Sequence, residues 1–227
     1  MTMRNDRRFA LVFRLCSLLF AMAGVLKQIG VFGGSVHLGS LMFYTMQSNL
    51  LVIVMFAMLT IRTAQGLYDG RHGSNGWYSR FEMICTVDIL LTFVVFWILL
   101  TPGSSTDFLL SFENLSAHTF TPVLCLIDYM LFSERKRLKY HDVYYTCIFP
   151  ALYVLFTAIA GLAGYVYWYN EETQLTVRAP YFFLDYYTIG TQAGLYIIAI
   201  LIFILAVSHV FFWIDRKGNA ASAELDG

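Results

Sequence analysis

The stretch Leu195–Trp213, LYIIAILIFILAVSHVFFW, contains no Asp, Glu, Lys or Arg and only Ser208 and His209 among strongly polar side chains. An apolar run of this length is too long for an ordinary core helix and matches the roughly 20 residues a helix needs to cross about 30 Å of hydrocarbon. The same reading extends along the chain to six segments, residues 9–29, 41–61, 81–101, 115–133, 143–165 and 189–213. The 227 residues are 58% hydrophobic with a mean hydropathy of +0.62, more apolar surface than one water-soluble core of this size can bury. The expected fold is therefore all-α: a polytopic six-transmembrane-helix bundle forming a single domain over 1–227, with short tails at about 1–8 and 215–227. The first segment is too long for a signal-peptide core, lacks a small-residue cleavage site and is followed by further spans, so it is expected to be retained.

Formal charges cancel, with 15 Lys and Arg against 15 Asp and Glu, but their distribution carries information. Arg4, Arg7, Arg8 and Arg14 precede or open the first segment, Arg62, Arg71 and Arg80 flank the second loop, Arg135, Lys136, Arg137 and Lys139 fill the fourth, and Arg216 and Lys217 follow the last. The alternate loops hold Lys27 and Arg178 beside the acidic Asp107, Glu113, Glu171, Glu172 and Asp185. The positive-inside rule then puts both termini in the cytoplasm. The run from Arg135 to Lys139 is read as an orientation signal rather than a headgroup site. Cys16, Cys85, Cys125 and Cys147 have neither CxxC nor metal spacing and are expected to behave as small core hydrophobes.

Two polar clusters interrupt this apolar pattern. The second segment opens Phe43-Tyr44-Thr45-Met46-Gln47-Ser48-Asn49, where Thr45, Ser48 and Asn49 share one helical face. Such a stripe either glues helices together by hydrogen bonds or lines a polar pocket. The fourth opens Asn114-Leu115-Ser116-Ala117-His118-Thr119-Phe120-Thr121-Pro122, with Asn114 and His118 on one face. Pro122 has no N–H for the His118 carbonyl, so a kink is expected there. The histidine is compatible with a satisfied core residue, a proton relay or a general base.

Both segments run from outside to inside, and both residues are expected about 6 Å below the outer ends, four residues in at about 1.5 Å each. At a shared depth a threonine hydroxyl and a neutral imidazole suffice for acyl transfer. Ser48, Asn49 and Asn114 are the nearby candidates for oxyanion stabilisation. Asp185, in the aromatic stretch Pro180–Tyr187, is a candidate to orient His118 or to pair with Lys27, and Lys27 is a candidate for a substrate carboxylate. Asp88 and Asp128 must be protonated, paired or hydrated in a span.

These residues resemble a known family, the androgen-induced and androgen-dependent six-span membrane hydrolases that cleave fatty acid esters of hydroxy fatty acids, together with their prokaryotic relatives. The resemblance covers most of the chain and rests on Phe43-x-Thr45, on Asn114-x-x-x-His118-Thr119 with Pro122, and on Pro180 with Phe183-Leu184-Asp185. It implies Thr45 as nucleophile and His118 as general base. Gln47-Ser48-Asn49 looks like the prokaryotic branch, and Asp185 stands where the animal proteins carry glutamate. The expected partners are membrane lipids and a lipid ester, with no nucleic acid, cofactor or metal. The expected location is the plasma membrane in a bacterium or the endoplasmic reticulum membrane in a eukaryote, with the site near the extracytoplasmic face. Two other readings stay open: a small proton-coupled transporter using Asp88, Asp128, His118 and His209, and a non-catalytic lipid-binding protein.

The charge pattern makes a direct prediction. A phosphatase reporter fused at the C-terminus is expected to be inactive and a fluorescent reporter there to fold; the reverse pair of outcomes would overturn the assigned orientation.

Overall fold

A computed structural model describes residues 6–70, 76–102, 104–170 and 175–217. Arg4, Arg71, Glu171, Glu172 and the tail 218–227 lie outside the described residues. Among those described, six helices are long and apolar enough to cross a membrane. They are α1 (Arg7–Gln28), α2 (Tyr44–Tyr68), α3 (Gly76–Val95, continued by a π turn at Phe96–Leu100), α4 (Phe112–Phe132), α5 (Asp142–Leu162) and α6 (Gln192–Lys217). Between α5 and α6 lies a feature the sequence reading treated as loop, an antiparallel hairpin of β1 (Trp168–Asn170) and β2 (Leu175–Val177), with Trp168 opposite Val177.

Helix ends follow local chemistry and shift several expected boundaries. Asp6 caps α1 by accepting from the amides of Arg8 and Phe9. The second helix starts at Tyr44 rather than 41, because Leu38–Met42 wind into a tighter 3-10 turn and Phe43 is extended. It then continues to Tyr68, since Arg62–Leu67 holds no proline and Gly66 alone is a weak helix former. Helix α5 stops at Leu162 rather than 165 because Gly164 takes φ +85°, and the Tyr165 amide returns to the Ala160 carbonyl across it. This is the left-handed cap glycine allows at no steric cost.

Close packing runs around a ring, α1 on α2, α2 on α3, α3 on α4 and α4 on α1, while α6 lies against α3. Helices α2 and α4 therefore sit across a diagonal. The α1–α4 approach is tight: a methyl group on Gly24 would lie 2.6 Å from Ser116 Oγ. One apolar cluster, with Val52, Met55, Phe56, Ile89 and Cys125, fills the ring; another, around Met83, Val87, Tyr129 and Ile204, joins it to α6. Cys85 and Cys125 are core residues as expected, but Cys16 faces outward and is exposed.

Arg14 and Asp128, the first assigned above to orientation and the second left as a cost to be met, form a buried bidentate pair. Arg14 Nε and Nη2 donate to the two Asp128 oxygens at 2.9 and 3.1 Å, and Nη1 donates to Thr63 Oγ1 at 2.8 Å. One guanidinium thus joins α1, α2 and α4. Arg135 also turns inward from its basic run, donating to the Tyr129 and Met130 carbonyls that end α4. The rest of that loop is pinned by Asp215 of α6, whose carboxylate accepts the amides of Arg137 and Leu138.

Removing one partner of such a pair strands the other charge. Asp128→Ala is expected to destabilise the fold by about 3–5 kcal/mol, whereas the paired replacement Arg14→Met with Asp128→Leu restores most of it. Thermal unfolding in detergent measures both.

Candidate active site

Thr45 is in the first turn of α2, shallower than its expected four-residue depth, and His118 lies in the second turn of α4. They nonetheless meet, with Thr45 Oγ1 3.2 Å from His118 Nε2 and both residues buried. His118 lies within a π turn at Ser116–Phe120, where the Thr121 amide reaches the Ser116 carbonyl. A π turn holds an extra residue, and this irregularity lies just before Pro122, where a kink is expected. A second π turn, at Phe96–Leu100 in α3, flanks it. Phe96 stacks on the His118 ring with centroids 4.0 Å apart, and Trp97 Nε1 donates to Thr119 Oγ1 at 3.1 Å. Neither aromatic residue is distinguished in the sequence from its apolar neighbours.

The hydrogen bonds assign the tautomer of the imidazole. His118 Nδ1 is 3.1 Å from the Asn114 carbonyl oxygen, which can only accept, so Nδ1 carries the proton and Nε2 presents its lone pair to the Thr45 hydroxyl. Asn114 thus acts through its backbone. Its side-chain Nδ2 donates to the Leu109 carbonyl at 3.1 Å.

Ser48 and Asn49 are next to the site but aimed at its frame. Ser48 Oγ lies 3.0 Å from the Thr45 carbonyl and 2.9 Å from Thr92 Oγ1. Asn49 Nδ2 donates to the Thr45 carbonyl at 2.8 Å and to the Ala117 carbonyl at 3.2 Å. With both Nδ2 hydrogens engaged, Asn49 fastens the Thr45 turn to α4, and Ser48 fastens it to α3. Asp185 turns to neither His118 nor Lys27; its carboxylate caps the turn Tyr186–Ile189, accepting from Thr188 N at 3.3 Å and Thr188 Oγ1 at 2.6 Å. Lys27 pairs with Glu113 at 3.4 Å, linking the end of α1 to the start of α4 at a half-exposed position. Asp88 accepts from Tyr44 Oη at 3.2 Å, and His209 Nδ1 is 2.7 Å from the Leu205 carbonyl on its own helix.

A cavity of about 210 Å³ is lined by Thr45 together with residues of α3, α5 and α6. Leu91 and Val95 of α3, Pro150 and Val154 of α5, and Ile197 and Leu201 of α6 make much of its wall. The polar residues of the lining are Thr45, Thr92 and three tyrosines, Tyr44, Tyr153 and Tyr181. Tyr181 falls in the stretch read as an interfacial aromatic belt, yet its oxygen accepts from the Thr45 amide at 3.4 Å. Burial holds the Tyr181 phenol above its ordinary range, so it remains protonated at neutral pH. Phe43 extends this aromatic surface, packing on Tyr181 at 6.0 Å and on Trp168 of the hairpin at 6.4 Å.

The arrangement has the parts of a nucleophile and base pair: a hydroxyl, an imidazole that can take its proton, a third group fixing the imidazole, and an apolar cavity at the hydroxyl. No family model, curated protein or solved structure matches this chain.

Proposed function

We propose that this protein is a membrane-embedded hydrolase of lipid esters in which Thr45 is the nucleophile and His118 the general base. The observation that carries the reading is the directed relay from the Asn114 carbonyl through His118 to Thr45 Oγ1, with Thr45 itself lining an apolar cavity. Thr63, by contrast, bonds back to the Leu59 carbonyl of its own turn. The resemblance to the six-span hydrolases of fatty acid esters of hydroxy fatty acids supports the same pair.

In this mechanism Oγ1 adds to the ester carbonyl carbon while its proton passes to Nε2, and the carbonyl π pair moves onto oxygen. Collapse of that adduct breaks the bond to the leaving alkoxide, which takes the proton from Nε2–H and departs as an alcohol. An acyl-Thr45 ester remains, its hydrocarbon tail in the cavity. Water then gives a proton to Nε2 and adds to the acyl carbon. The second collapse expels Thr45 Oγ1, which recovers the proton as the fatty acid leaves. The Nδ1 bond to the Asn114 carbonyl stabilises the imidazolium formed in each half. The charge pattern assigns the α2 N-terminus to the extracytoplasmic side, so the ester enters from the outer leaflet.

The transporter reading has less to draw on at Asp128, which is paired with Arg14; Asp88 accepts from Tyr44 through Oδ1, while its buried Oδ2 has no partner among the described residues. Helix fastening does describe Ser48 and Asn49, and in membranes such bonds average about 0.6 kcal/mol.

Purified protein is expected to hydrolyse 4-nitrophenyl octanoate and to gain the mass of a fluorophosphonate probe. Thr45→Ala and His118→Ala are each expected to lose the adduct and to lower turnover by about 10³-fold or more. Retention of wild-type turnover in Thr45→Ala would refute the mechanism.

A further inference from the structure

We propose that Tyr181 is the oxyanion donor of the Thr45 centre, an assignment that rests on the hydrolase reading above. Thr45 is the second residue of α2, so its amide belongs to the first turn, where no carbonyl within the helix can accept it. That N–H points at Tyr181 Oη, 3.4 Å away. An ester carbonyl poised for attack by Thr45 Oγ1 comes close to this amide, at the positive end of the helix dipole. Tyr181 and Thr45 line the same cavity.

The competing donors are engaged elsewhere. The two Asn49 Nδ2 hydrogens go to the Thr45 and Ala117 carbonyls, and Asn114 Nδ2 goes to Leu109. Of the other tyrosines on the cavity wall, Tyr44 donates to Asp88 and Tyr153 to the Met42 carbonyl at 3.0 Å. Tyr181 is the phenol set against the nucleophile's own residue. Its ring is held flat on Phe183, with centroids 5.2 Å apart and planes 2° apart, and edge-on to Phe43, so the donor is fixed before substrate arrives. As Oγ1 adds and the carbonyl oxygen becomes negative, the Tyr181 O–H donates to that oxygen while the phenol oxygen goes on accepting the Thr45 N–H. When the carbonyl re-forms the bond weakens again; no proton is transferred and Tyr181 ends each cycle unchanged.

Tyr181→Phe keeps the ring and removes only the donor. With 4-nitrophenyl octanoate in detergent micelles, kcat is expected to fall by about 10²–10³-fold with little change in KM. An octyl trifluoromethyl ketone, which forms a tetrahedral adduct with Oγ1, should bind more weakly by a similar factor, while the matching octyl ether, which has no such oxygen, should bind as before. An unchanged kcat, or equal weakening of both ligands, overturns the assignment. If Tyr181→Phe does not fold, 3-fluorotyrosine at position 181 preserves the packing and alters only the acidity of the donor; an unaltered kcat then overturns it. Thr45→Ala separates the two levels. Full turnover in Thr45→Ala defeats the hydrolase reading, whereas an inactive Thr45→Ala beside a fully active Tyr181→Phe defeats the Tyr181 assignment alone.

Discussion

An arginine guanidinium inside a low-dielectric bundle is tolerated only with a counter-charge and enough acceptors for its hydrogens, and Arg14 obtains both from other helices. Asp128 of α4 takes two of its nitrogens and Thr63 of α2 a third. The attraction stabilises the assembled bundle less than the lone charge would destabilise any other, because desolvation consumes most of the coulombic gain. Its main effect is therefore selective: of the possible ring orders, those that separate α1 from α4 strand a cation. With α1 between α2 and α4 and Gly24 admitting Ser116 closely, the diagonal between α2 and α4 is short enough for one widened turn to cross.

That crossing shows how a local defect becomes a site. A regular α-helix through Ser116–Thr121 would satisfy its own carbonyls until Pro122 removed one donor. The chain instead widens into a π turn just before Pro122, with the Thr121 amide on the Ser116 carbonyl and His118 within the turn. The second π turn supplies Phe96 as a flat wall for the imidazole, and the Trp97–Thr119 bond joins the two irregular segments. Polar groups around Thr45 divide between framework and chemistry according to where their hydrogens point. Ser48 and Asn49 hold the turn by its carbonyl, while the hydroxyl and amide of Thr45 itself are turned toward His118 and Tyr181.

Much of this was legible from residue types and spacing. The six apolar lengths, the shared face of Thr45, Ser48 and Asn49, and the interruption at Pro122 all follow from periodicity and from the missing proline N–H. Asp185 and Lys27 were harder to interpret, because a charged residue at a helix end has several affordable partners. The structure gives Thr188 to the first and Glu113 to the second. Tyr181 was hidden among its neighbours, since every ring in Pro180–Tyr187 suits an interface and only one has its oxygen at the α2 terminus.

The sequence by itself determined the helical class, the number of segments long enough to span a membrane and the identities of a hydroxyl and an imidazole at one end of the bundle. These properties depend on hydrophobic length and on side-chain period, both of which are written along the chain. Tertiary structure alone decided which helices are neighbours, which nitrogen of His118 faces Thr45, and which polar groups are free to act rather than to hold the fold together. Those outcomes depend on distances between residues far apart in sequence, 73 positions in the case of Thr45 and His118, and no local pattern encodes them.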